Sequence, residues 1–253
     1  MHNDTLCARV SQIFSGAMPP SHMEHDLNTC VYVHQRFSLL MGKRGAMVEM
    51  MRTRWAAYLE LRYGVRLAGV WATAGSTGEW PEMHVQWEFD DWDHFGRASA
   101  AQHPMEERDT YLTELWNQAL EFRRGGHSML LRPAPWCPDV ATIRSEGIGG
   151  DVILYQGVRS RPGCMAAYHD ALASRYVSSA EAHGLRLLGA FEHAIVPNTG
   201  MNLWALRGWD EWKRLLAGGD ASPVRAWNAG VEEWLADLDS FVIVPPPAEA
   251  LRT

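Results

Sequence analysis

The sequence predicts an α+β protein in which one β-α-β-β-α-β unit is built twice in tandem. Three observations carry this. Residues 64–69 read GVRLAG and residues 184–189 read GLRLLG, with Trp71 and Phe191 two positions later in each. Residues 90–95 (DDWDHF) and 207–212 (RGWDEW) repeat a second pattern, preceded by Trp87 and Trp204. SMLLRP at 128–133 answers SFVIVP at 240–245, and Gly42 and Gly163 open the helical stretch of each copy. Matches that recur in one order with a slowly drifting offset mark an internal duplication. One copy spans 29–138 and the other 150–253. Residues 139–149, mostly polar and ending in glycines, read as a linker. Residues 1–28 match neither copy and form an N-terminal extension.

Each element has its own signal. CVYVHQRFSL (30–39) is rich in β-branched and aromatic residues, as strands are. In 46–63, Met47, Met51, Trp55, Tyr58 and Leu59 recur at helical spacing, and Gly64 follows as a left-handed cap. VRLAGVWA (65–72) is a second strand, Gly75, Gly78 and Pro81 suit a hairpin loop, and MHVQWEF (83–89) is the third. Asp90 and Asp91 can cap a short helix carrying Trp92 and Phe95. Residues 107–124 place Tyr111, Leu112, Leu115, Trp116, Ala119 and Phe122 on one helical face, and SMLLR (128–132) is a fourth strand stopped by Pro133. The second copy gives strand 151–159, helix 164–183, strands 185–192 and 201–206, helices near 209–216 and 221–237, and strand 240–244. This order is the ferredoxin-like split unit. A sheet with helices on one face leaves the other bare, and a duplicated chain can cover it by packing its two sheets together. The expected architecture is an intramolecular pseudo-dimeric α+β barrel, as a monomer or as a homodimer of tandem chains.

Composition narrows the function classes. The 253 residues carry a net charge of −7, which argues against nucleic acid and anionic membranes, since both need a basic footprint. No apolar run approaches the roughly 18 residues of a membrane span, and no secretory signal is visible. The four cysteines are scattered without a CxxC pair, which predicts free thiols in a cytoplasmic protein. No metal-binding, phosphate-loop, nucleophile-elbow or dinucleotide motif is present. Twelve tryptophans and twelve methionines suit apolar pockets as well as cores.

The strand–Gly–helix openings, the GVRLAGVW and GLRLLGAF strands, the QWEFDDWDHF and LWALRGWDEW segments and the closing SMLLRP and SFVIVP carry a resemblance. Each copy resembles a NIPSNAP domain, within the dimeric α+β barrel superfamily. The resemblance implies the fold. For function it implies a range: cofactor-independent monooxygenases, small-molecule lyases and isomerases, and haem enzymes. The first strand has Gln35 and Gln156 near a position that is often charged in the family, and Met41 rather than Pro precedes Gly42, so no catalytic assignment is carried over.

Strand alternation sorts the candidate site residues by face. Val31, Val33 and Phe37 share a face with Val85, Trp87 and Phe89, which should meet the helices. The opposite set is Tyr32, His34, Arg36, His84, Gln86 and Glu88, with Tyr155 and Arg159 on the comparable face of the second copy. Histidines, a carboxylate, a tyrosine and arginines there can supply acid, base and anion-holding groups, or form a hydrogen-bonded polar seam. A second candidate pocket lies between sheet and helices, with Arg54, Tyr58 and Arg62 in the first copy and Tyr168, His169 and Tyr176 in the second. Positions that differ between copies, such as His34 against Tyr155, are where one copy has room to specialise.

Three functional readings follow. The first is a cofactor-free enzyme acting on a small hydrophobic or aromatic metabolite, by proton transfer (lyase, isomerase or hydratase) or by cofactor-free oxygenation. His34 and His84 would trade protons while Tyr58, Tyr155 or Tyr176 orients the substrate, with Arg36, Glu88, Trp87 and His169 as binding residues. The second, implied by the haem-dependent relatives, is a haem enzyme with His169 as the iron ligand. The third is a non-catalytic small-molecule-binding protein.

Overall fold

The computed structural model describes residues 27–75, 77–102, 109–218 and 223–246. The expected extension therefore lies, but for its last residues, outside the described residues. The strands are β1 Val31–Leu39, β2 Arg66–Thr73, β3 Glu82–Phe89, β4 Arg123–Pro133, β5 Val152–Ser160, β6 Arg186–His193, β7 Thr199–Leu206 and β8 Leu235–Val244. Helix α1 joins Arg44–Met50, a π-helical Met51–Trp55 and Ala56–Tyr63. It is followed by α2 Trp92–Gln102, α3 Thr110–Leu120 and α4 Val140–Ser145. Helix α5 joins Met165–Ala171, a π-helical Leu172–Val177 and Ser178–Glu181, and α6 Trp209–Ala217 and α7 Pro223–Gly230 complete the set. The fold is mixed α+β, and the strands follow the closed order β1-β3-β2-β8-β5-β7-β6-β4, with β1 also paired to β4.

The chain forms two compact units. Among the described residues, the first comprises Thr29–Leu131 with Phe241–Pro246, and the second comprises Arg132–Ser240 with Leu27 and Asn28. The packing thus divides the chain differently from the repeat boundaries 29–138 and 150–253. Strands β4 and β8 run long enough that the end of each belongs to the other unit from its beginning.

In the first unit, Val31, Phe37, Val85, Trp87 and Phe89 pack with Met47, Met51, Trp55 and Leu59 of α1 and Leu112, Leu115 and Ala119 of α3 in one apolar core. This is the helix-facing side that alternation predicts. Helix α1 ends at Gly64, whose N–H bonds the Glu60 carbonyl and whose φ of +70° brings Val65 N back to the Leu59 carbonyl at 3.2 Å. Five residues later the same motif bends the strand. The β2–β3 register shifts between Leu67 and Gly69, and a Cβ on Gly69 would lie 2.0 Å from the Trp71 ring. The second unit repeats the construction with Gly184 (φ +90°), a shift between Leu187 and Gly189, and Phe191 2.3 Å from a Cβ built on Gly189. The motif GxRLxGx-aromatic thus encodes a helix stop and a bulge roofed by a ring.

Several boundaries differ from those the sequence predicts. The linker 139–149 contains α4, capped by Asp139, whose Oδ1 accepts from Thr142 N at 2.8 Å; the cap is a signal, but VATIRS is too short for a periodicity. Strand β4 begins at Arg123, where tertiary pairing with β1 overrides the weak strand preference of Gly125 and Gly126. The helix expected over 221–237 ends at Gly230 with a 3₁₀ turn Val231–Glu233, and β8 starts at Leu235. Cys30 and Cys137 are free thiols, and Cys137 is pushed up to about 12 by burial. Cys164 is disulfide-bonded, so the expectation of four free thiols does not hold. No helix among the described residues is long and apolar enough to cross a membrane.

Candidate functional site

The face of the first unit's sheet opposite the helices carries a continuous polar network. In the β1–β3 register His34 lies opposite Gln86, and Arg36 opposite His84, so alternate side chains of the two strands interleave. His34 Nε2 lies 3.2 Å from His84 Nδ1. His84 Nε2 lies 3.3 Å from Glu82 Oε2 and 3.2 Å from Thr73 Oγ1. Arg36 holds Glu82 with two bonds, Nε to Oε1 at 3.1 Å and Nη2 to Oε2 at 2.8 Å. Both histidines and Thr73 are fully buried. Along the same face the Tyr32 hydroxyl donates to Glu88 Oε2 at 2.5 Å, and Arg66 bridges Glu88 and Asp90.

The electrostatics set the protonation states. Burial opposes the charge on Glu82, but hydrogen bonds from His84 and Arg36 outweigh it and hold the carboxyl down to about 2. Burial drives the His34 imidazole well below its ordinary value, helped by the positive potential of His84, Arg36 and His127 against a hydrogen bond with Gln86 that raises it. Burial also lowers His84, against its bond to Glu82. The ionised Glu82 can only accept, so His84 carries its proton on Nε2. Its Nδ1 then accepts from His34 Nε2–H, which makes His34 Nδ1 a proton acceptor. The arrangement is a carboxylate–histidine–histidine relay that ends in a neutral base.

Not every predicted site residue joins this network. Trp87 faces the helices, where its indole N–H donates to Gln35 Oε1 at 3.0 Å. Tyr58 sits on α1, with its hydroxyl 2.5 Å from Asp109 Oδ2 and its acidity weakened to about 12 by that bond and by burial. Tyr63 binds the same carboxylate at 2.9 Å, and Asp109 caps α3 through Tyr111 N and Leu112 N, so this cluster ties two helices together. Arg36 and Glu88 are already engaged with Glu82 and with Tyr32 and Arg66. Tyr155, His169 and Tyr176 belong to the second unit. The sequence reading missed Glu82 and Thr73 as members of the relay. Glu82 falls just before the predicted strand 83–89, yet its alternation with His84, Gln86 and Glu88 was the available signal.

Among the described residues the relay exists in one unit only. Gly42 and Gly163, both at φ +75°, set the offset of the opening strands and helices at 121 residues, and Trp87 and Trp204 set that of β3 and β7 at 117. Under these offsets Tyr32, His34, Arg36, His84 and Glu88 correspond to Ile153, Tyr155, Gly157, Met201 and Ala205. His84 thus answers Met201, the neighbour of Asn202. Tyr176 corresponds to Trp55 rather than to Tyr58, because both occupy the π-helical turns.

His169 lies on α5 and is 7% exposed, and burial brings its imidazole down to about 4. An unfolded histidine titrates near 6.5. Below that pH the unfolded chain binds a proton that the folded chain refuses until about pH 4, so stability is lost as pH falls through this window. The slope is about 1.4 kcal/mol per pH unit, or about 3 kcal/mol over the window. Urea denaturation at stepped pH should show this acid loss, and His169→Gln should flatten it; an equally steep loss in the variant contradicts the assignment.

Among the described residues no group of three or more His, Cys, Asp and Glu is placed to hold a metal ion. No protein-family model and no curated protein matches this sequence. Solved structures do match in fold. A candidate monooxygenase from Lactobacillus acidophilus aligns at a TM-score of 0.59 with 8% identity, over 85% of this chain and 93% of that one. An anthrone oxidase-like protein aligns at 0.59 with 12% identity, over 90% and 94%. A variant of the chlorite dismutase from Candidatus Nitrospira defluvii aligns at 0.51 with 8% identity, over 88% and 94%. An uncharacterized NIPSNAP domain protein from Burkholderia xenovorans aligns over 43% of this chain and 99% of its own, at a TM-score of 0.36 and 18% identity. At these identities the first three likenesses establish a shared α+β fold and nothing finer.

Proposed function

We propose that this protein is a small-molecule enzyme that removes a proton from a weakly acidic C–H or O–H group of a hydrophobic or aromatic metabolite. The observation that carries the reading is the 3.2 Å His34–His84 contact backed by ionised Glu82. The substrate proton passes to His34 Nδ1, and the charge gained is spread through His84 toward Glu82. The electron pair left on carbon has three outlets: reprotonation at another atom, expulsion of a leaving group, or transfer to dioxygen. These correspond to an isomerase, a lyase or hydratase, and a cofactor-free oxygenase. The names of the fold neighbours, a candidate monooxygenase and an anthrone oxidase-like protein, favour the last outlet.

The test is hydrogen–deuterium exchange at carbon, followed by NMR in D₂O, on anthrone and other aromatic carbon acids. The wild type should accelerate exchange, and His34→Gln should cut that acceleration at least 100-fold, the usual worth of a positioned base. The acid limb of the rate should lie below pH 6.5, because His34 is held neutral below its ordinary range. Exchange no faster than in buffer, or unchanged in His34→Gln, overturns the reading.

One observation favours a haem reading as the second. His169 is buried and neutral, and its Nε2 finds no hydrogen-bond partner among the described residues, which suits an iron ligand. Bound there, haem would supply redox chemistry at iron while His169 held it. A Soret band on adding hemin to the wild type, lost in His169→Ala, supports this reading, and its absence ends it.

A further inference from the structure

The second unit contains a cluster of buried polar atoms that its own fold leaves unanswered. Among the described residues, Gln156 Nε2, Asn202 Oδ1, the Tyr176 hydroxyl and Trp227 Nε1 have no hydrogen-bond partner. All four side chains are at least nine-tenths buried. They form one group. Gln156 and Asn202 lie opposite each other in the β5–β7 register. Asn202 Nδ2 donates to the Tyr168 hydroxyl at 2.6 Å, and Gln156 Oε1 accepts from Trp204 Nε1 at 2.9 Å. Tyr176 stacks on Trp227 at 4.9 Å and meets Trp204 edge-on at 5.2 Å, while Tyr168 lies 6.0 Å from Trp227. Each polar group stranded in such a place costs about 1–3 kcal/mol.

The first unit is the internal control. Under the same offsets Tyr168, Tyr176 and Asn202 correspond to Met47, Trp55 and Val85, three members of an apolar core. Gln35, the counterpart of Gln156, gives its Nε2 to Ser128 at 3.3 Å. The scaffold therefore closes with Met47, Trp55 and Val85 at three of these positions and with a partnered glutamine at the fourth, and the stranded polar atoms of the second unit answer some other need.

We propose that this aromatic cluster is a binding site for a neutral, planar, hydroxylated aromatic molecule of the phenol or naphthol class. The ring would lie against the Tyr176–Trp227 stack. Its hydroxyl would donate to Asn202 Oδ1 and accept from Gln156 Nε2, Trp227 Nε1 or the Tyr176 hydroxyl. The cluster itself contains no ionised side chain, and burial raises both tyrosines so that they stay neutral phenols. A charged ligand would go unpaired there.

The test uses 2-naphthol and its anionic relative 2-naphthoate with the full-length protein, by isothermal titration calorimetry. The wild type should bind 2-naphthol saturably at one site and 2-naphthoate at least tenfold more weakly. Tyr176→Phe should weaken 2-naphthol about five- to tenfold. Without ligand, that variant should melt at or above the wild-type temperature, because it removes a hydroxyl the protein does not satisfy. No saturable binding overturns the proposal, as does equal affinity for the two ligands. A Tyr176→Phe variant that binds as well as the wild type but melts lower also overturns it. The readout is binding without turnover, so it stands or falls independently of the His34 relay.

Discussion

Replacing Glu82 with alanine should lower the unfolding free energy by about 3–5 kcal/mol, the usual cost of breaking a buried ion pair by removing one partner. Glu82 accepts two bonds from Arg36 and one from the Thr73 hydroxyl, and it lies 3.3 Å from His84 Nε2. Its side chain is 4% exposed and that of Arg36 19%. Without the carboxylate the guanidinium keeps its charge in a place chosen for a pair, and His84 Nε2–H loses its anchor. Replacing both members with leucine should recover most of the loss, since a buried pair often does no better than well-packed apolar groups. Urea denaturation of Glu82→Ala and of the Arg36→Leu, Glu82→Leu pair would check this. A single variant within 1 kcal/mol of wild type would show that the pair is solvated in solution.

Gly69→Ala should cost about 3 kcal/mol, at the upper end of what overpacking does. The added methyl meets the Trp71 ring at 2.0 Å, and Trp71 is itself buried, so neither can move without disturbing the bulge. The cause is separable from backbone conformation. In a Trp71→Leu background the ring is gone, and Gly69→Ala should cost under about 1 kcal/mol, because alanine otherwise suits a strand at least as well as glycine. Full additivity in the double-mutant cycle would falsify the ring-over-glycine explanation. Gly189 and Phe191 offer the same experiment in the second unit.

Much of this was legible from the sequence because the signals were periodic or repeated. Alternation along 30–39 and 83–89 separated the helix-facing Val31, Phe37, Val85 and Trp87 from the His34 and His84 face, and the contact between those histidines followed from it. The recurrence of GxRLxG marked the two strands whose geometry depends on those glycines. What escaped depended on distance in sequence or on short elements. Tyr58 and Tyr176 both fall on the long helix of their copy, but the π-helical turns align Tyr176 with Trp55. LAD (235–237), the start of β8, reads as the end of a helix until Arg161 N finds the Trp234 carbonyl at 2.8 Å. The second aromatic cluster was half visible. Tyr168 and Tyr176 stood out, but Asn202 and Gln156 did not, and a position-by-position comparison of Asn202 with Val85 was the signal for it.

The exchange of strand ends also has a meaning in time. The first unit is completed by residues translated long after its other strands: Ala72 and Thr73 pair with Val244 and Ile243, Ala74 N bonds the Val242 carbonyl, and Phe241 lies 5.5 Å from His84. At the usual pace of about 5–20 residues per second, Leu131 precedes these residues by roughly 5–25 s. Through that interval the nascent sheet holds β1, β2 and β3 with the edge of β2 unpaired, the kind of edge that invites wrong partners. The relay histidines wait equally long for one of their walls. A messenger truncated before the codon for Phe241 would therefore spoil a unit whose other strands were made long before, far from the site of the cut.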